Sequence, residues 1–115
     1  MSGKILSKMN IESLREYCLS LKDVTEGFPF DGTTLVFKVK GKMFLLTDLE
    51  GPLAMNVKCD PELAIELREQ YNCVKPGYHM NKKYWNTVEI DGSISDQILK
   101  EWINHSYYLV AKIQA

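Results

Sequence analysis

The sequence predicts a single α+β domain, with helices packed on one face of an antiparallel sheet. Three observations carry that expectation. The chain has 115 residues, enough for one ordinary domain with its own core. Apolar residues recur at helical spacing in three segments and alternate with period two in others. The alternating segments are joined by turns too short to link parallel strands, so neighbouring strands must run antiparallel.

The elements follow in chain order. Residues 1–8 carry no pattern and are expected to form a flexible tail, which leaves one domain over 9–115. Asn10 is placed to cap a first helix, with Glu12 near the positive end of its dipole. Ile11, Leu14, Cys18 and Leu21 share its inner face, so Cys18 reads as a small buried hydrophobe. Gly27-Phe28-Pro29-Phe30-Asp31-Gly32 breaks the pattern. A first strand over 34–39 turns Leu35, Phe37 and Val39 one way and Val36 and Lys38 the other. Lys40-Gly41-Lys42 is a turn, 43–47 a second strand and 53–58 a third. Asp60-Pro61-Glu62 is a helix start: a cap, a proline suited to the first helical position, and an acid on the dipole. Leu63, Leu67 and Tyr71 face inward from that helix, and Glu62, Glu66 and Glu69 face water. Val74-Lys75-Pro76-Gly77 ends the unit, and 84–90 is a further strand closed by Asp91-Gly92. A last helix begins near Ser93 or Ser95. Its apolar stripe is Ile98, Trp102, Leu109 and Ile113, broadened by Leu99, Ile103 and Val110, with Glu101, His105, Tyr108 and Lys112 opposite. The expected order is helix, three strands, helix, one or two strands, helix.

Composition narrows the function. No apolar run is long enough to span a bilayer, and the N-terminal residues lack the apolar core of a signal peptide. Cys18, Cys59 and Cys73 are an odd number without the spacing of a disulfide framework, which points to a reducing cytoplasm. The net charge of −1 gives no global basic field. Six lysines nevertheless fall in two acid-free stretches: Lys38, Lys40 and Lys42 within 32–47, and Lys75, Lys82 and Lys83 within 70–88.

Little in the chain suits catalysis. Cys59, Cys73, His79 and His105 match no zinc spacing, so no metal and no cofactor is expected. Cys59 precedes a helix N-terminus, where a thiolate would be favoured, but it has no base with an orienting third group and reads as a packed strand-end residue. Neither a serine nucleophile elbow nor a phosphate-cradling glycine loop is present. The richest stretch is GYHMNKKYWNTV, residues 77–88. If 84–90 is one regular strand, Val88 and Ile90 face the core and take Asn86 and Tyr84 with them. Trp85, Thr87 and Glu89 then face the other way. A bulge near Asn86 could reverse that phase. Otherwise Trp85 is covered by a neighbouring element or lines a contact surface. Asn81 and Asn86 also suit turns held by side-chain to backbone bonds. Lysines beside Tyr78, Tyr84 and Trp85 offer charge for phosphates and rings for bases. The only arginines, Arg15 and Arg68, fall outside the stretch, so base-edge reading is not expected from it.

These residues resemble the MmcQ/YjbR family of small bacterial proteins. The resemblance is carried by Val36-Phe37-Lys38-Val39 with Lys42-Met43-Phe44, by Lys58-Cys59-Asp60-Pro61-Glu62-Leu63, and by Pro76-Gly77-Tyr78-His79-Met80-Asn81-Lys82 with Trp85-Asn86-Thr87-Val88. Asp91-Gly92 and Ser106-Tyr107 follow in order, and the match runs from about Met9 to the C-terminus. It implies a CyaY-like (frataxin-like) fold and a DNA-binding label that rests on fold analogy. Tyr84 departs from the pattern, since many relatives have histidine before the tryptophan. Frataxins bind iron on an acidic first-helix ridge. Here Glu12, Glu16 and Asp23 are interrupted by Arg15 and Lys22, so iron binding does not carry over.

The sequence therefore predicts a cytoplasmic, non-enzymatic domain that binds DNA or another nucleic acid weakly. The expected contacts are Lys75, His79, Lys82 and Lys83, aided by Lys38, Lys40 and Lys42. The alternative is a small-molecule or anion pocket around Tyr78, His79, Asn81, Lys82 and Trp85. A third reading is a protein-interaction module on the sheet face or the last helix. Oligomeric state is not legible, and no membrane contact is expected.

Overall fold

The computed structural model describes residues 8–112. The elements are α1 (Ile11–Ser20), β1 (Val24–Gly27), β2 (Thr34–Val39), β3 (Lys42–Asp48), β4 (Ala54–Lys58), α2 (Pro61–Gln70), β5 (Val74–Pro76), β6 (Trp85–Glu89) and α3 (Asp96–Ala111). The six strands form one antiparallel sheet in the order β1-β2-β3-β4-β6-β5. Since β6 sits between β4 and β5, α2 is a crossover between two strands that run the same way. All three helices share one sheet face, where Leu14, Leu35, Phe37, Phe44, Met55, Leu67 and Ile103 belong to a common core. This is the predicted α+β arrangement. Among the described residues, no helix is long and apolar enough to cross a membrane.

Local chemistry sets the helix starts. Asn10 and Ser13 form a reciprocal capping box at α1, the Asn10 side chain accepting from the Ser13 amide at 2.8 Å. Asp60 accepts from the Leu63 amide at 3.3 Å, with Pro61 in the first helical turn. Asp60→Ala is accordingly expected to cost about 1 kcal/mol, read as a lower urea midpoint; an unchanged midpoint would mean the cap contributes nothing. The last helix takes Ser95 as its cap, the second of the two expected positions. Of the expected tail over 1–8, residues 1–7 lie outside the described residues, whereas the Lys8 amide donates to the Asp96 carboxylate at 3.1 Å.

Three expectations need correction. The segment Val24–Gly27 is a strand paired with β2, so four strands precede α2. It is short and half-buried at its two ends only, so it carries no alternation to read. The α3 stripe is rotated: Leu99, Ile103, Ser106, Tyr107 and Val110 are buried, Ile98 and Trp102 pack only partly, and Leu109 is exposed. Ile113 lies outside the described residues. Apolar side chains surround this helix nearly completely, so their spacing leaves its phase open. His105 does not face water alone; it is half-buried, and its Nε2 accepts from the Asp60 amide at the start of α2 at 3.2 Å. Burial lowers its pKa, which favours the neutral imidazole that this bond requires.

The β2–β3 register shifts between Phe37 and Lys38, which leaves Phe44 as an extra residue in β3. Ser106 on α3 holds this irregular region, donating to the Phe44 carbonyl at 2.5 Å and accepting from the Lys58 amide at 2.8 Å. Below the bulge, β3 keeps a regular phase, and that phase determines what the other sheet face displays.

Candidate binding groove on the helix-free sheet face

The face opposite the helices is built from the second set of alternating residues. Cross-strand pairing places Val36, Leu46, Asn56, Thr87 and Lys75 in one continuous row across β2, β3, β4, β6 and β5. Thr34 and Asp48 pair in the neighbouring row, and Lys38 pairs with Met43 in the row on the other side. Trp85 projects here as well, next to Val36 and Leu46, with Met43 and Met80 packed over it. No bulge resets β6: Asn86 faces the helices and Trp85 faces away, and a neighbouring segment covers the ring to 9% exposure.

That segment is the β5–β6 connection. Gly77 donates its amide to the Trp85 carbonyl at 2.9 Å, and the Trp85 amide donates to the Asn81 carbonyl at 3.0 Å. The close approach demands glycine, because a Cβ at 77 would stand 2.8 Å from the Trp85 Cβ. The Tyr78 amide donates to Thr87 Oγ1 at 2.9 Å, which folds the loop over the sheet. His79 adopts a left-handed backbone at φ 57°, and its ring lies 4.0 Å from that of Tyr78. Arg68 on α2 fixes the far side. It donates through Nε to Asn86 Oδ1 at 2.7 Å and through Nη2 to the Lys82 and Trp85 carbonyls. The buried Asn86 amide completes the network by donating to the Ala64 carbonyl at 3.3 Å.

Between this loop and the β1–β2 connection lies a groove of about 360 Å³. Phe30, Tyr78, His79 and Met80 make its walls, and Met43, Leu46 and Asn56 lie beneath them. Thr34 and Asp48 line it from the neighbouring row. Phe30 is 63% exposed and Tyr78 69%, unusually high for rings of that size. Asn56 Oδ1 accepts from the Thr87 hydroxyl, which leaves the side-chain amide N–H groups of Asn56 for another acceptor. Asp31 accepts from the Thr33 and Thr34 amides, and those bonds hold its carboxyl below the usual range.

The residues singled out in the sequence divide sharply. Tyr78 and His79 line the groove. Trp85 lies beneath the loop in the second cluster. Asn81 shapes the turn, its side chain accepting from the Lys83 amide at 2.9 Å. Lys82 donates to the Gly77 carbonyl at 2.9 Å, Lys40 to the Ala111 carbonyl at the end of α3 at 3.1 Å, and Lys75 pairs with Glu89 at 3.3 Å. Lys83 sits 5.5 Å from the Tyr84 ring. Lys42 is exposed, and Lys38 is half-buried beside Met43. None of these lysines lines the groove. Sequence reasoning missed Phe30, Asn56 and Asp48, which come from separate elements. Two exposed phenylalanines flanking Pro29 were the available signal. Cys59 is buried, and its thiol is pushed up to about 11 by that burial, so it is no ready nucleophile.

Known proteins share this architecture. The family model described as YjbR matches residues 19–109. The Escherichia coli O157:H7 protein YbdF is 39% identical over 100 residues, covering 86% of this chain and 82% of the relative. The Escherichia coli K12 protein YjbR is 33% identical over 100 residues, covering 86% and 85%. The crystal structure of Deinococcus radiodurans protein DR2400 superposes with a TM-score of 0.86 at 42% identity, covering 95% of this chain and 82% of that one. A Pseudomonas syringae protein superposes with a TM-score of 0.78 at 25% identity, covering 89% and 99%.

Proposed function

The chain belongs to the YjbR family, and within that fold we propose that it is a non-enzymatic binding module that holds a flat, largely apolar small molecule in the groove between Phe30 and Tyr78. One observation carries the reading: two exposed aromatic rings border one concavity of ligand size, floored by Met43 and Leu46, with a few polar groups placed around it. A nucleic-acid surface is less well supplied, because Lys40, Lys75 and Lys82 each have an intramolecular partner. The three free cysteines are all buried, which suits the reducing cytoplasm expected for this module.

The test is a thermal-shift screen of flat-ring compounds on wild type, Phe30→Ala and Tyr78→Ala. Both rings are exposed, so the ligand-free variants should lie within about 0.5 kcal/mol of wild type. Compounds that raise the wild-type melting temperature should bind each variant at least about tenfold more weakly, the loss of one stacked ring. Variants that bind like wild type would exclude the groove. Binding only to oligonucleotides, with a strong salt dependence, would instead favour the lysine surface.

A further inference from the structure

The charges around the groove are distributed unevenly. Among the described residues, Asp48 is the only lysine, arginine or carboxylate side chain lining it, alongside the imidazole of His79, and Asp48 is exposed. Its register partner Thr34 donates its hydroxyl to Asp31 Oδ2 at 3.2 Å, so a second carboxylate adjoins the same end. The bonds that Asp31 accepts from the Thr33 and Thr34 amides keep it ionised. On this strand face Lys38 lies four positions along β2 from Thr34, or about 13 Å at strand spacing, beside Met43 at the opposite end of the groove from Asp48. An anion seated between the rings would therefore face carboxylates with no lysine or arginine in the groove. A cation would gain both the carboxylate field and the negative faces of Phe30 and Tyr78.

We propose that the groove selects a planar organic cation, a protonated heteroaromatic amine, with its ring against Phe30 and Tyr78 and its charged N–H groups directed to Asp48. The inference rests on the groove being the binding site and adds the class of ligand. Asn56 complements it, since its unengaged amide N–H groups can donate to an acceptor on the ligand ring. Asp48 acts as the specificity-determining residue. Its Oδ1 also accepts from the Glu50 amide at 2.9 Å, a bond that asparagine can retain, so Asp48→Asn removes charge while preserving the turn.

The experiment compares three probes of one shape: protonated 4-aminoquinoline, neutral quinoline and quinoline-4-carboxylate. Affinities are measured by calorimetry at low and moderate salt on wild type and Asp48→Asn. The expected result is a preference of about tenfold for the cation over the neutral ring, with the anion weakest. Added salt should narrow the preference, since Asp48 is exposed. In Asp48→Asn the preference should fall by at least about threefold, with the ring faces and Asp31 supplying what remains. Equal binding of the three probes, preference for the anion, or a cation preference undiminished in Asp48→Asn would overturn the inference. It would leave the groove intact as a binding site if Phe30→Ala still weakened binding. Failure of all three probes to bind would also overturn it, while the broader flat-ring screen decides the binding site separately.

Discussion

Trp85→Ala is expected to lower the unfolding free energy by about 3–5 kcal/mol, the range for truncating a large buried aromatic. The ring has few buried partners, Val36 and Leu46, and is capped by Met43 and Met80. Gly77 and Tyr78 are tied to β6 by their own amides, which limits how far the loop can collapse into the space. The effect should appear as a lower denaturant midpoint. It should also loosen the groove, since Met43, Leu46 and Met80 belong to both the cluster and the groove lining. Trp85→Phe should recover part of the stability. A near-native midpoint for the alanine variant would mean that the ring contributes little to packing.

Arg68→Ala is expected to cost about 2–3 kcal/mol. The guanidinium serves three acceptors: Asn86 Oδ1 and the carbonyls of Lys82 and Trp85. Removing it strands the side-chain oxygen of Asn86, which is 1% exposed, in a buried setting. Arg68→Lys should not rescue the loss, because one ammonium cannot reproduce a planar fork aimed at three oxygens. Pairing Arg68→Ala with Asn86→Leu should restore stability relative to Arg68→Ala alone, since the stranded acceptor is then gone. Thermal unfolding of the four proteins measures the coupling. Strict additivity would show that Arg68 and Asn86 do not act together.

What could be read from the sequence follows physical range. The Asn10 and Asp60 caps were legible because capping depends on side chains three residues apart. For β6, alternation offered Asn86 inward and Trp85 outward, with a bulge as the alternative; the unbroken register selects the first, and which segment covers Trp85 was not legible. The strand β1 was invisible because its evidence is pairing with β2, not pattern. The groove was half legible. Tyr78 and His79 stood out in a ring-rich stretch, but Phe30, Asn56 and Asp48 meet them only through sheet register and loop closure. The partners of three lysines were hidden for a similar reason. The Ala111 carbonyl, the Gly77 carbonyl and Glu89 lie 71, 5 and 14 residues away. Arg68 and Asn86 meet across 18 residues, from a helix that looked solvated to a strand amide that looked uncomfortable.

The most direct measurement is a residue-resolved amide NMR titration of the isotope-labelled protein with the tightest flat-ring compound from the thermal-shift screen. Binding in the groove predicts saturable shifts concentrated at Phe30, Thr34, Leu46, Asn56, Tyr78 and His79, with Lys40, Lys75 and Lys83 nearly unmoved. Saturable shifts confined to the lysine-bearing turns, with the groove amides unchanged, would contradict it.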